Sequence, residues 1–100
     1  MEKMTYNVRT SFTGIRQVSG YVFLYSGLKF GVRKNGHFWQ VSELSTGLLV
    51  TEAETRKGAI QRLFDKRRFS TVKSAVKEFG HGKDLNPGIH PKTEFLTVYA

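Results

Sequence analysis

Two glycine turns, Ser26-Gly27 and Asn35-Gly36, lie between runs of aromatic and branched residues, and they constrain the fold more tightly than any other feature. Asn-Gly between alternating apolar residues is the strongest short-range hairpin signal, because both central positions of a type I′ turn need positive φ. A two-residue Asn35-Gly36 loop pairs Lys34 with His37, Val32 with Trp39 and Phe30 with Val41. A two-residue Ser26-Gly27 loop pairs Tyr25 with Leu28, Phe23 with Phe30 and Tyr21 with Val32. Directly paired residues share a face, and successive residues alternate. Together the turns predict one face made of Tyr21, Phe23, Tyr25, Leu28, Phe30, Val32, Trp39 and Val41. A one-residue slip would scatter these side chains, so this is the core face, with Trp39 in a packing role. The opposite face carries Val22, Leu24, Lys29, Gly31, Arg33, Phe38, Gln40 and Ser42. Its Val22–Leu24 part is apolar and needs a cover, either a terminal segment or a partner.

Around this sheet core, at about residues 21–51, the pattern predicts further elements. Tyr6 to Phe12 alternates as an edge strand, and Thr13-Gly14 breaks it. Ser45-Thr46-Gly47 is a turn, and Leu48 to Thr51 a further strand. A first helix spans about 55–68, with Thr55 as its N-cap and Ala59, Ile60, Leu63 and Phe64 as its apolar stripe. Thr51 with Glu54 also fits a capping box, which would start the helix earlier. A second helix spans about 71–79, where Val72, Ala75, Val76 and Phe79 recur at helical spacing, Ser70 caps and Gly80 stops. Residues 80–100 form a tail with a candidate edge strand at 94–99. The fold class is therefore α+β, an antiparallel sheet of three to five strands packed against one or two amphipathic helices. At 100 residues the chain is expected to be a single domain, 1–100.

Composition narrows the function classes. Without cysteine there is no disulfide framework, thiolate metal site or cysteine nucleophile, which suits a reducing compartment. No apolar run approaches the ~20 residues of a membrane span, and the start lacks a signal peptide's apolar stretch. A soluble, cytoplasmic protein is the expectation. His37, His81 and His90 lack zinc-site spacing, Glu43, Glu52 and Glu54 have no evident partner across a cleft, and Gly80-His81-Gly82-Lys83 is not a full phosphate loop. We therefore expect no metal, no cofactor and no catalysis.

Charge is the remaining signal. The net charge is +8, and from Thr55 to Asp84 nine basic residues stand against three acidic ones, a local surplus of six. Arg56, Lys57, Arg62, Lys66 and Arg68 lie mostly off the apolar stripe of the first helix, suited to phosphates or simply to solvent. On the sheet, Lys29, Arg33, Phe38 and Gln40 form an outer patch suited to a groove, with Phe38 placed to stack on a base. An ordinary outer face, with Phe38 covered by the amino-terminal segment, is the alternative.

The stretch Phe38-Trp39-Gln40-Val41-Ser42, then Ser45-Thr46-Gly47, then Thr55-Arg56-Lys57-Gly58-Ala59-Ile60 resembles the arm-site DNA-binding domains of tyrosine recombinases. Plant ethylene-response DNA-binding domains are similar in outline. The resemblance implies a three-stranded sheet in the major groove, with Lys29, Arg33, Phe38, Gln40 and Ser42 facing DNA and a helix packed behind. It spans about half the chain and supplies neither the second helix nor the tail. The basic helix with Arg56 and Lys57 also resembles double-stranded-RNA-binding domains, and the strand–helix order that of antitoxin-type folds. The expected function is a small basic nucleic-acid-binding protein that contacts DNA or RNA phosphates. The competing expectation is a phage or mobile-element accessory module that docks on a host protein or nucleoprotein through Val22, Leu24 and Phe38. Neither reading fixes an oligomeric state.

Overall fold

A computed structural model describes residues 1–11, 14–79 and 82–96. The elements run β1 (Glu2–Thr10), β2 (Gly14–Tyr25), β3 (Leu28–Asn35), β4 (Phe38–Glu43), β5 (Leu49–Ala53), α1 (Arg56–Leu63), α2 (Lys66–Phe79) and β6 (Glu94–Phe95). The first five strands form an antiparallel meander in the order β1-β2-β3-β4-β5, and β6 adds in parallel to the end of β2. The class is α+β, with a sheet somewhat larger than the sequence pattern implies. The predicted edge strand at Tyr6–Phe12 starts earlier, at Glu2, and its last residue falls outside the described ones, as do Thr13, Gly80, His81 and residues 97–99 of the predicted 94–99 strand.

The β2–β3 hairpin has the predicted register, with Tyr25 opposite Leu28, Phe23 opposite Phe30 and Tyr21 opposite Val32. Its turn has positive φ at both positions, Ser26 at 51° and Gly27 at 80°. The β3–β4 hairpin differs. Asn35 pairs with Phe38, Lys34 with Trp39 and Val32 with Val41, so the loop is Gly36-His37 rather than Asn35-Gly36. Gly36 has φ 65° at the first loop position, where a type II′ hairpin wants glycine, and Asn35 stays in the strand. Each partner moves by two residues, which leaves every side chain on its predicted face.

That face is the main core. Phe23, Tyr25, Phe30, Val32 and Val41 are buried beneath α1 and α2, with Tyr21, Leu28 and Trp39 packed around them. Phe23 stacks on Phe30 at 5.6 Å, and Tyr25 contacts Phe64 and Phe69 at 4.8 Å each. From the helix side come Ala59, Ile60, Leu63 and Val72. The Thr55 hydroxyl accepts from the Gly58 amide at 2.9 Å and caps α1. Thr51 serves no capping box: it is buried, and its hydroxyl donates to the Ala59 carbonyl at 2.8 Å. The helices part at Phe64 and Asp65, earlier than the predicted break. The Asp65 carboxylate accepts from the Arg68 amide at 3.1 Å, so Asp65 takes the capping role expected of Ser70, which lies inside α2.

The opposite face holds a second, smaller core of Tyr6, Val8, Val18, Val22, Leu44 and Ile89. Its cover within the chain includes the Tyr6 ring of β1 and the tail segment that runs through Ile89. The Tyr6 ring lies across β3 so closely that a β-carbon on Gly31 would sit 2.5 Å from Tyr6 Cζ, which only glycine permits. Leu24 is half-buried, and its amide donates to the Thr93 carbonyl where the chain enters β6.

The β4–β5 loop is built on a wholly buried carboxylate. Glu43 accepts from the Ser45 amide at 2.7 Å, the Ser45 hydroxyl at 2.6 Å and the Thr46 amide at 3.0 Å. This loop then meets the outer edge of β1, where the Arg9 amide donates to the Gly47 carbonyl at 2.8 Å.

Candidate functional site

The predicted contact residues separate into two groups. On the sheet, Lys29 is withdrawn from any outer patch. Its ammonium donates to Asp84 Oδ2 at 2.6 Å and to the Asn86 and Ile89 carbonyls, so it anchors the tail against the sheet. Burial works to raise the Asp84 carboxyl, but hydrogen bonds from Lys29 and the Asn86 amide outweigh it and hold the pKa below its usual value. Gln40 donates to Glu52 Oε2 at 2.7 Å, which pairs its amide within the sheet. Arg33 is half-buried. Phe38 remains 43% exposed and is not covered by the amino-terminal segment. Of the four positions read as one DNA-facing patch, two, Lys29 and Gln40, are therefore engaged in internal hydrogen bonds. Ser42 is buried. Of the predicted docking edge, Val22 has no exposed surface, Leu24 is half-buried and Phe38 is exposed.

On the helices the charges remain outside. Arg56, Lys57, Arg62, Lys66 and Arg68 are all exposed, as are Arg67, Lys73 and Lys77, which the pattern of the first helix did not single out. Across Arg56–Phe79, eight basic residues stand against two acidic ones, Asp65 and Glu78, and Asp65 is turned to the α2 amide. Arg56 has a second role, with its guanidinium 5.0 Å from the Tyr21 ring centroid and 6.0 Å from that of Trp39. It shields the open end of the core by cation–π contact.

Two surfaces organise the rest. Lys66, Ser70, Lys73, Ser74 and Lys77 border a shallow depression of about 420 Å³ beside Phe69. Lys66, Ser70, Lys73 and Lys77 recur at i, i+4, i+7 and i+11, which places them on one side of α2 over roughly 16 Å. That spacing was readable in the sequence, but the predicted start of the second helix at 71 cut Lys66 from it. The other surface is a groove of about 840 Å³ between β5, α1 and α2, bordered by Arg62, Arg67 and Arg68 over Val50, Val72 and Ala75.

Among the described residues no three His, Cys, Asp or Glu side chains group closely enough to hold a metal ion, and no helix is long and apolar enough to cross a membrane. No protein-family model, curated protein or solved structure matches the chain.

Proposed function

We propose that the protein binds nucleic acid through its α1–α2 layer, chiefly by neutralising phosphates. The observation that carries this reading is the distribution of charge. Six of the eight net positive charges belong to Arg56–Phe79, and every basic side chain there is exposed. Concentrated positive potential on one layer attracts polyanions at long range and holds them by releasing condensed counterions. Lys66, Lys73 and Lys77, with Ser70 and Ser74 between them, follow one line along α2, and hydroxyls and ammonium groups are both common phosphate donors. At ~3.4 Å of rise per nucleotide of one strand, the ~16 Å of this line spans about five phosphates.

The outer sheet contributes little to this reading. Lys29 and Gln40 are hydrogen-bonded internally, which leaves Arg33 and Phe38 for a secondary contact. Limited base reading follows, because phosphate contacts position a ligand without specifying its sequence. Gel-shift titrations with duplex DNA, duplex RNA and single strands of equal length at low salt test the proposal. It expects retardation of at least one class with weak sequence preference, and failure to shift any of them ends it.

A further inference from the structure

Helix α2 stands high on the fold. Of its 14 residues, Val72 is buried, Phe69, Ala75 and Val76 are half-buried, and the rest are exposed. At roughly 100° of turn per residue, those four inward positions take up about a third of the circumference. The exposed remainder divides into rows. Lys66, Ser70, Lys73 and Lys77 form one flank, within an arc of roughly 60°. Arg67, Thr71, Ser74 and Glu78 repeat that spacing one residue later, which makes them the crest, nearly opposite Phe69 and Val76. Beyond the crest, Arg68 borders the second flank, in the groove that it shares with Arg62 of α1.

This arrangement distinguishes among nucleic acids. A single backbone needs one row of cations. Cations on both flanks of one exposed helix match two backbones held apart by the width of that helix. An α-helix with its side chains is about 10–12 Å across, and the major groove of B-DNA is about 12 Å wide. The major groove of duplex RNA is too deep and narrow for side chains to read. The crest has the chemistry of base edges: Arg67 suits guanine, Glu78 can accept from cytosine, and the Ser74 hydroxyl serves as donor or acceptor. The Thr71 hydroxyl donates to the Arg67 carbonyl at 3.1 Å, which leaves its oxygen as an acceptor.

We infer that the ligand is B-form duplex DNA and that α2 lies in its major groove. The inference rests on the phosphate-binding reading of the same helices and gives it a substrate class. Lys66, Lys73 and Lys77 take one backbone, Arg62 and Arg68 the other, and Arg67, Ser74 and Glu78 face the base edges between them.

The chain has no cysteine, so Ser74→Cys supplies a single thiol on the crest, at an exposed position. The full-length variant is mixed with DNA duplexes of one sequence that carry a disulfide-activated tether, on cytosine N4 in the major groove or on guanine N2 in the minor groove. Ser19→Cys, exposed on the sheet, is the control, and circular dichroism confirms that both variants are folded. Ser74→Cys is expected to cross-link to the N4 tether about tenfold faster than to the N2 tether, and Ser19→Cys to neither. The native chain is expected to bind duplex DNA about tenfold more tightly than duplex RNA or single-stranded DNA. Equal cross-linking to the two tethers, cross-linking to neither, or equal reaction of Ser19→Cys overturns the groove placement. Equal affinity for duplex RNA or for single strands overturns it too. In each of these cases binding persists and the phosphate reading stands, whereas a native chain that binds none of the three ends both.

Discussion

The side chain of Asn86 binds both backbone polar groups of Asn7, accepting from its amide at 2.7 Å and donating to its carbonyl at 3.0 Å. The same side-chain amide donates to the Leu44 carbonyl at 2.6 Å, so one buried asparagine ties the tail, the β1 edge and the end of β4 together. A buried edge without such partners would leave its amide and carbonyl groups desolvated and unpaired, at about 1–3 kcal/mol for each. Asn86→Ala is therefore expected to destabilise the fold by roughly 3 kcal/mol, read from chemical denaturation. Hydrogen exchange of the Asn7 amide should accelerate with it.

Tyr6 carries the converse feature. Its ring is buried in the second core, but its hydroxyl has no hydrogen-bond partner. Tyr6→Phe removes an unsatisfied polar atom and keeps the packing, so thermal stability near neutral pH should be unchanged or higher by up to about 1 kcal/mol. Burial, partly opposed by the nearby Arg33 charge, pushes the Tyr6 pKa from 10.0 up to about 12. The unfolded chain then ionises Tyr6 first, so the fold loses stability as pH rises from about 10 to 12. Denaturant midpoints across that range should fall less in Tyr6→Phe than in the native protein.

Gly31→Ala tests the close approach beneath that ring. The added methyl would press on the Tyr6 ring, with aromatic carbons 2.5 to 2.9 Å away. Overpacking of this kind costs about 1–3 kcal/mol. A melting temperature equal to the native one would contradict the Tyr6 placement.

The Lys29–Asp84 pair gives an acid-side prediction. Because the folded Asp84 pKa lies below its unfolded value of 3.8, its contribution is present above that pH and is lost as pH falls through the folded pKa. Asp84→Asn should therefore flatten the decline of stability below pH 3.8, as followed by acid titration of the circular-dichroism signal.

What could be read from the sequence follows from how local its causes are. The core face from Tyr21 to Val41 and the Thr55 cap depend on alternation, turn chemistry and one hydroxyl, all within a short stretch of chain. Even the misplaced β3–β4 turn kept the face intact, because moving the partners by two residues preserves alternation. The second core was signalled only as an apolar Val22–Leu24 patch needing a cover. Part of its cover comes from Asn86 and Ile89, far along the chain, and no local pattern marks a long-range clasp. Lys29 shows the same limit: an alternating strand predicts its face, but not that Asp84 and two tail carbonyls will capture its ammonium. For the candidate site, the charge cluster was legible as composition, whereas the Lys66–Lys77 line needed α2 to begin at Lys66.

The salt dependence of duplex binding reports directly on phosphate contacts by the α2 face. Fluorescence anisotropy of a labelled duplex, titrated at several salt concentrations, gives the slope of log affinity against log salt, about −0.9 for each phosphate neutralised. Replacing Lys66, Lys73 and Lys77 together with Ala should make that slope shallower by about 3 and weaken binding uniformly across sequences. An unchanged slope, or weakening confined to one sequence, would contradict phosphate binding by the α2 face.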